Sequence, residues 1–430
     1  MRIVLFSPVG NQSAIGRVSA LVIGALREQG HDVAVVSIDE TVQAEADQLP
    51  DLGFVPHWTD DDAVRDAVRD ADAIVHQIGN SYRFHAGSIV WLDRVGGIVC
   101  LHDHFLGHLF LEWTVRGHES EGSAVIEEWY GRSLNWFFDT ARQGDIIAEC
   151  WPAITFVEWL VSKSTAVITH SDNRLGPILD GSGGPVAIVP MPYDFSTTHE
   201  RVASPDLNRT TILTFGVINP NKQADAVIRA IASNGTASQS TRYRLVGAIE
   251  STMRRHLSDL ASSLSVDLTI LGQVSDDDLA REIDAADVIA CLRHPSLEAA
   301  SASAIEAMLA RKLVIVTNTG FYASLPDDAV LKVNPDNLVL ELADRLSQVR
   351  RTPRMTKEYG ARAEAYARAT FVADNYATEI VAMVQRTEDG RAVREALAPI
   401  VATYGEWGMD PRSTLLAETT LVTDFFSAPR

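Results

Sequence analysis

Two glutamates, Glu298 and Glu306, are separated by seven residues that are all small or apolar. Apolar runs of strand length precede this segment, at residues 287–292, and follow it, at residues 313–316, which predicts a strand, a loop, a helix and a second strand. The small residues from Ala299 onwards leave the first helical turn uncrowded, so its unpaired amides and positive dipole end can receive a diphosphate. One carboxylate could then accept hydrogen bonds from sugar hydroxyls and the other from ribose hydroxyls. The alternative is a solvated loop acid and a helix-surface charge, the ordinary fate of carboxylates.

The same segment resembles the donor-binding signature of the retaining glycosyltransferases of family 4, in which two glutamates at this spacing precede an Ala-Met pair. The family usually has glycines and a proline between the glutamates, where this chain has alanines and serines. The resemblance implies an α/β protein of the GT-B fold, with two doubly wound Rossmann-like domains facing across a cleft. It implies that Glu298 fixes the donor sugar as a catalytic residue and that Glu306 holds the ribose. Ser301 and Ala302 would then lie against the diphosphate.

A glycine-turned loop at residues 215–222 opens the next predicted helix and carries a lysine. It resembles the family's F-G-x-x-x-x-x-K segment, which places Gly216 at the nucleotide and pairs Lys222 with the diphosphate. The arginine that the family often has a few residues before this lysine is replaced by Asn219 or Asn221, so Arg293 is a second expected cation. An exposed lysine at a helix start is the alternative. Further donor-side turns resemble those of the family at Gly247, Gln273 and Val274.

Two loops of the first half are predicted to bind the acceptor. The loop at residues 7–16 contains neither a dinucleotide fingerprint nor a Walker lysine, and it resembles the family's acceptor-side loop. The loop at residues 76–81 resembles a Q-x-G-N segment of some members. Both follow predicted parallel strands, and ligands of such sheets bind at the carboxyl ends of the strands. The acceptor-side residues expected from these loops are Gln12, Ser13, Gly16 and Asn80.

The segment that ends the fourth predicted strand resembles the family's strand-end His-Asp pair. The resemblance makes His102 a catalytic residue near the transferred sugar and places Asp103 and Ser171 on the acceptor side. Two alternatives stay open: a buried, hydrogen-bonded histidine without a catalytic task, and a metal site formed with His104 and His108. Alternate residues of a strand point to opposite faces, which disfavours the metal site.

Composition limits the class of protein. A chain of 430 residues suits two domains, and no segment approaches the roughly 20 apolar residues that span a bilayer. The N-terminus enters a strand without the pattern of a signal peptide, which predicts a cytoplasmic protein with three reduced cysteines. A formal charge of −20 argues against nucleic acid and anionic membranes as partners, and favours a neutral or cationic acceptor.

Alternating strand and helix patterns predict two parallel sheets. The strands are expected at residues 2–7, 33–38, 73–77, 97–101 and 166–169, and again at 211–215, 243–246, 268–271, 288–292 and 313–317. Residues 106–161 are expected to be helical, with their tryptophans as a packing face; a stacking platform for a sugar is the alternative. The predicted organisation is an acceptor-binding domain at 1–195, a linker at 196–209, a nucleotide-sugar domain at 210–370, and helices crossing back plus an unassigned tail at 371–430.

The resemblance therefore implies a retaining glycosyltransferase that uses a nucleoside diphosphate sugar, and the acidic composition favours a small soluble acceptor, as in natural-product biosynthesis. No metal or other cofactor is expected, and a homo-oligomer is compatible with the pattern. Because no second carboxylate is evident beside the anomeric carbon, same-face attack is favoured over double displacement. The alternatives are a transferase of cell-surface glycan assembly, a sugar-nucleotide epimerase and a catalytically degenerate partner subunit of the same fold.

Overall fold

The computed structural model describes residues 1–144, 146–195, 209–234 and 240–392, and residues 395, 396, 399 and 403 beyond them. Two α/β domains result, each built on a six-stranded parallel sheet. The expected linker at 196–209 lies outside the described residues apart from its last one, and so does most of the chain after residue 392.

The first sheet has the strand order β2-β1-β3-β4-β5-β6, and every neighbouring pair is parallel. Its strands are β1 (Arg2–Ser7), β2 (Asp32–Ser37), β3 (Ala73–Ile78), β4 (Ile98–Leu101), β5 (Ala166–Thr169) and β6 (Val186–Ile188). Its helices are α1 (Ala14–Glu28), α2 (Asp61–Val68), α3 (Tyr82–Val95), α4 (Gly107–Val115), α5 (Glu119–Tyr130), α6 (Leu134–Arg142), α7 (Ile146–Cys150), α8 (Val157–Val161) and α9 (Leu175–Gly181). The expected helical segment at 106–161 is thus a series of five short helices.

Glycines in left-handed conformations separate several of those short helices. Gly131 ends α5 at φ 60°, and Gly117 and Gly144 also have positive φ values, which residues with a Cβ rarely adopt. Trp113 and Trp159 are buried between these helices, with ring centroids 4.6 Å apart. These two tryptophans form the packing face that the sequence predicts.

The second sheet has the order β12-β11-β10-β7-β8-β9, with all neighbouring pairs parallel. Its strands are β7 (Thr210–Phe215), β8 (Thr241–Val246), β9 (Asp267–Gly272), β10 (Val288–Cys291), β11 (Leu313–Thr317) and β12 (Val330–Val333). The helices are α10 (Ala224–Ser233), α11 (Ser251–Ser263), α12 (Asp276–Ala285), α13 (Ala302–Leu309), α14 (Gly320–Ala323), α15 (Leu338–Arg351), α16 (Arg354–Thr370) and α17 (Ala373–Asp389).

The second sheet is covered by helices on both faces. On β11, Val314 and Val316 belong to one hydrophobic cluster, whereas Leu313 and Ile315 belong to the cluster on the opposite face. Every residue of this strand is buried. Strands buried on both faces read as continuous apolar runs, which is why the sequence reveals β10 and β11 so clearly.

Helix α17 returns to the first domain. Its residues Tyr376, Ile380 and Met383 are buried in the core that also contains Val22 and Leu26 of α1. The preceding helix α16 instead packs on the second domain, against α13 and β11. None of the described helices is long and apolar enough to cross a membrane.

Candidate active site

A cleft of about 1040 Å³ lies between the two domains and is lined by residues of both. In the second sheet the strand order reverses between β10 and β7, so the loops that follow these two strands run apart and leave a crevice. In the first sheet the reversal falls between β1 and β3. The cleft therefore opens where an open parallel sheet places its ligands.

The N-terminal end of α13 forms part of the second-domain wall. Ser301 is the N-cap residue, and its hydroxyl accepts a hydrogen bond from the amide of Ala304 at 3.3 Å. The residues from Ala300 to Ser303 line the cleft. The small side chains predicted at this turn thus leave the positive end of the helix open to the cleft.

Lys222 lines the same cleft as this helix end, and it is buried rather than exposed. Its side chain is only 4% exposed, and its ammonium group donates a hydrogen bond to the Phe215 carbonyl. Burial, together with the nearby charge of Arg293, lowers the pKa of Lys222 to about 7. Gly216 has φ +87°, and a Cβ there would lie 2.9 Å from the lysine nitrogen. The alternative of an exposed lysine is therefore wrong.

Glu298 is held by two partners of its own domain, the buried Tyr322 and the partly buried Arg293. Its Oε1 atom lies 2.9 Å from Nε of Arg293 and accepts a hydrogen bond from the Tyr322 hydroxyl at 2.6 Å. Burial disfavours the charged form of Arg293 and acts to lower its pKa. The Tyr322 oxygen and the Glu298 carboxylate outweigh the effect of burial, so the pKa of Arg293 is raised. Arg293, expected as a cation for the diphosphate, thus forms an ion pair with the expected sugar-binding glutamate.

A backbone bridge joins the two domains at the cleft. The His104 amide donates to the Leu297 carbonyl at 2.7 Å, and the Ala299 amide donates to the His102 carbonyl at 2.9 Å. These bonds flank Asp103 and Glu298, which form an antiparallel pair. Asp103 and Glu298 themselves share no backbone hydrogen bond. In such a pair the two side chains lie on the same face, and their Cβ atoms are about 4.5–5.5 Å apart.

The bridge brings a second carboxylate, that of Asp103, next to Glu298. Burial raises the pKa of Asp103 to about 7, the Asn80 amide opposes this shift with a hydrogen bond of 2.8 Å, and the Glu298 charge adds to it. Asp103 therefore lies beside Glu298, and it reaches this place only through the packing of the two domains, which the spacing of the sequence motifs does not reveal.

Asn80 organises the first-domain wall. Its Oδ1 atom accepts hydrogen bonds from the amides of His108 and Leu109, at 3.0 and 3.1 Å, in the first turn of α4. Its Nδ2 atom donates to Nδ1 of His108 at 2.9 Å. In the neutral ring the proton is therefore on Nε2. His108 and Trp151 line the cleft. The sequence suggested His108 only as a metal ligand, and Trp151 only as one of the tryptophans for which a sugar-stacking platform is the alternative to a packing face.

His102 lies behind the cleft wall. Its Nε2 atom is 2.6 Å from Oε1 of Gln77, and its Nδ1 atom is 3.1 Å from Nε2 of His170. Burial and the neighbouring His170 and His85 lower its pKa well below the ordinary value. This geometry matches the alternative of a buried, hydrogen-bonded histidine. Within the described part of the chain, no group of three His, Cys, Asp or Glu side chains is arranged to hold a metal ion.

The structure brings part of the predicted site together. The predicted residues that line the cleft are Asn80, Asp103, Gly216, Asn221, Lys222, Arg293, Glu298, Ser301 and Ala302. The predicted residues outside its lining are Gln12, Ser13, Gly16, His102, Ser171, Gly247, Gln273, Val274 and Glu306.

Structural contacts account for several of the residues outside the lining. Ser13 caps α1 by accepting a hydrogen bond from Gly16 at 3.1 Å. Gly247 packs under the Gly216 loop, where a Cβ would lie 2.1 Å from the Gly216 carbonyl. Glu306 accepts a hydrogen bond from the Tyr193 hydroxyl at 2.8 Å.

Residues 196–366 match the family model described as Glycosyl transferases group 1. The match and the fold support a transferase enzyme. The matched segment contains the Gly216 loop, the Glu298 loop and α13, which together form the second-domain wall. No curated protein matches the chain in sequence.

Solved structures with the same fold share little sequence with this chain. Sucrose-phosphate synthase from Thermosynechococcus elongatus is 16% identical over 93% of this chain and 100% of its own, with a TM-score of 0.60. Anabaena Alr3699/HepE in complex with UDP and glucose is 15% identical over 91% of this chain and 100% of its own, with a TM-score of 0.57. AviGT4, a glycosyltransferase involved in avilamycin A biosynthesis, is 13% identical over 91% of this chain and 98% of its own, with a TM-score of 0.51. The fold is therefore GT-B.

Proposed function

We propose that this protein is a retaining glycosyltransferase of family 4, which transfers a sugar from a nucleoside diphosphate sugar to a small soluble acceptor. The observation that carries the proposal is the meeting of the open α13 end and the buried Lys222 in one wall of the interdomain cleft. A dipole end and a cation side by side suit a diphosphate. That wall belongs to the segment that matches the group 1 family.

In this proposal the donor diphosphate lies between the first turn of α13 and Lys222. A buried lysine whose pKa is lowered to about 7 gains from a nearby anion, because the anion restores the charged form. The same contacts would stabilise the charge of the departing diphosphate, the role that fixed cations and amides perform at leaving groups. Anabaena HepE, which has this fold, was solved with UDP and glucose, and a UDP sugar is the first donor to test.

Glu298 would bind the hydroxyls of the donor sugar. Arg293 and Tyr322 fix its Oε1 atom, so the carboxylate has one orientation relative to the first turn of α13. Glu306 would hold the ribose, and it would then exchange its bond to Tyr193 for one to the nucleotide. Retention by same-face attack stays part of the proposal, and Asp103, which pairs with Glu298, would then lie next to the reacting sugar.

The acceptor would enter along the first-domain wall, past Asn80, His108 and Trp151. AviGT4, named for avilamycin A biosynthesis, shares the fold, which supports a natural-product acceptor for this chain. Independence from metal ions and cytoplasmic residence stay predictions.

Calorimetric titration of UDP, GDP and ADP, each with its common sugars, tests the donor site. We expect one nucleotide class to bind wild type and to lose at least tenfold in affinity in Lys222→Met. Lys357→Met is the matched control, since Lys357 is exposed on α16, away from the cleft. The configuration of the sugar released on donor hydrolysis, followed by NMR, tests retention. Failure of every nucleotide to bind wild type would contradict the proposal.

A further inference from the structure

We propose that Asp103 accepts the proton of the acceptor hydroxyl during transfer, a catalytic role beyond acceptor binding. The inference rests on the proposed function, because it assumes a donor sugar beside Glu298. Asp103 lines the first-domain wall and is paired with Glu298 across the domain boundary. An acceptor that enters along this wall therefore meets the Asp103 carboxylate next to the sugar.

The other acid in the cleft is already engaged. Among the described lining residues, only Asp103 and Glu298 carry carboxylates. Glu298 forms an ion pair with Arg293 and accepts the Tyr322 hydroxyl bond on the same oxygen. These two contacts hold the Glu298 carboxylate on the second-domain wall, where the proposed function assigns it to the sugar hydroxyls. Asp103, on the first-domain wall, is therefore the carboxylate placed towards the acceptor.

The partners of Asp103 leave it free to face the acceptor. Its Oδ2 atom accepts one hydrogen bond, from the backbone amide of Asn80 at 2.8 Å. The titratable and charged groups around it are Glu298 and its partner Arg293 on the second-domain wall, His85 on α3, His108 on α4 and His102 on its own segment. Neither cation of the second-domain wall is its direct ion-pair partner, since Arg293 is paired with Glu298 and Lys222 donates to Phe215.

The environment of Asp103 suits proton transfer at neutral pH. Burial raises its pKa to about 7, the Asn80 amide works against this shift, and the Glu298 charge works with it. General bases are most effective when their pKa lies near the operating pH. An ordinary aspartate, with a pKa near 4, would be a much weaker base.

The acceptor oxygen forms a bond to the anomeric carbon, and its proton moves to the Asp103 carboxylate. The bond between the anomeric carbon and the diphosphate oxygen breaks, and its electron pair leaves with the nucleoside diphosphate. Lys222 and the amides of the first turn of α13 stabilise that charge. Asp103 then returns its proton to solvent when the products leave.

Hydrolysis of the nucleotide sugar tests this role without a known acceptor, because water takes the acceptor's place. We would measure kcat/KM from pH 5 to 9 with the donor that binds wild type. Wild type is expected to lose activity about tenfold per pH unit below pH 7, as the base becomes protonated. Asp103→Asn is expected to lower the rate about 10²–10⁴-fold and to abolish this acidic limb.

Two further variants keep the result interpretable. Asp103→Glu retains a base and should keep part of the rate and an acidic limb. Asp327→Asn changes a carboxylate whose side chain is 89% exposed and lies outside the cleft lining, so it should leave the profile unchanged. Circular dichroism and the nucleotide-sugar dissociation constant, expected within about twofold of wild type, show that Asp103→Asn is folded.

The outcomes separate this inference from the proposed function. If wild type binds and hydrolyses a nucleotide sugar but Asp103→Asn keeps its rate or its acidic limb, Asp103 is not the base, whereas the donor site stands. If no nucleotide sugar binds wild type, the proposed function fails and this inference fails with it.

Discussion

Tyr322 fixes the carboxylate that would bind the donor sugar. Its hydroxyl is buried and donates to Glu298, and Tyr322→Phe removes this bond without changing the shape of the side chain. We expect a loss of about 0.5–1.5 kcal/mol in the free energy of unfolding, because Glu298 loses one of its two partners. Donor hydrolysis should slow, with nucleotide affinity preserved. Urea unfolding and hydrolysis kinetics measure both effects, and Tyr359→Phe, which alters a tyrosine outside the cleft, should show neither.

Binding of a nucleotide sugar should depend on the protonation of Lys222. Its pKa is lowered to about 7, so the free protein carries a mostly neutral lysine at pH 8 and a mostly charged one at pH 6. The charged form binds the diphosphate better, so affinity should fall about tenfold from pH 6 to pH 8, with a proton taken up on binding at the higher pH. Calorimetry in buffers of different ionisation enthalpy measures this uptake. If the Lys222→Met variant still takes up a proton on binding, a group other than Lys222 is the one that is protonated, and the prediction is wrong.

The loop before α3 supports the first turn of α4 through the side chain of Asn80. Asn80→Ala leaves the amides of His108 and Leu109 without this acceptor and frees the His108 ring. We expect a loss of about 1 kcal/mol in the free energy of unfolding and slower donor hydrolysis. Ser133→Ala is the matched control, since Ser133 caps α6 by a bond from Trp136 at 3.2 Å. Ser133→Ala should lower the free energy of unfolding by a similar amount but leave the rate of donor hydrolysis unchanged.

The sequence predicts elements well where burial imposes a pattern. The bounds of β1, β5 and β11 agree with the expected residues, because strands covered on both faces are continuous apolar runs. The sequence pattern does not indicate β6, which is only three residues long, or β12, an edge strand of four. The pattern does not indicate α3 either, because the buried face of this helix includes His85 and Ser88 and its hydrophobic periodicity is therefore weak.

The site depends on contacts between the two domains, which the spacing of residues within a sequence motif does not encode. Sequence motifs place Lys222, Glu298 and α13 in one domain, since their separation within a strand-loop-helix unit fixes their positions. The pairing of Asp103 with Glu298 depends on how two separately folded sheets meet, and it appears only in the structure. His102 shows the reverse case, because the family pattern assigns it to the cleft but the fold buries it behind the wall.

Helix α17 follows the second domain in the chain but packs in the core of the first. Ile380 is fully buried there, so Ile380→Ala should destabilise the first domain by about 2–4 kcal/mol through lost burial and the cavity left behind. Gln385→Ala, an exposed change on the same helix, should stay within about 0.5 kcal/mol of wild type. Calorimetric unfolding with and without a nucleotide sugar separates the domains, since the ligand stabilises the one that binds it. The stability lost in Ile380→Ala should appear in the unfolding transition that the ligand shifts less. If the loss is confined to the transition that the ligand stabilises, α17 supports the second domain instead.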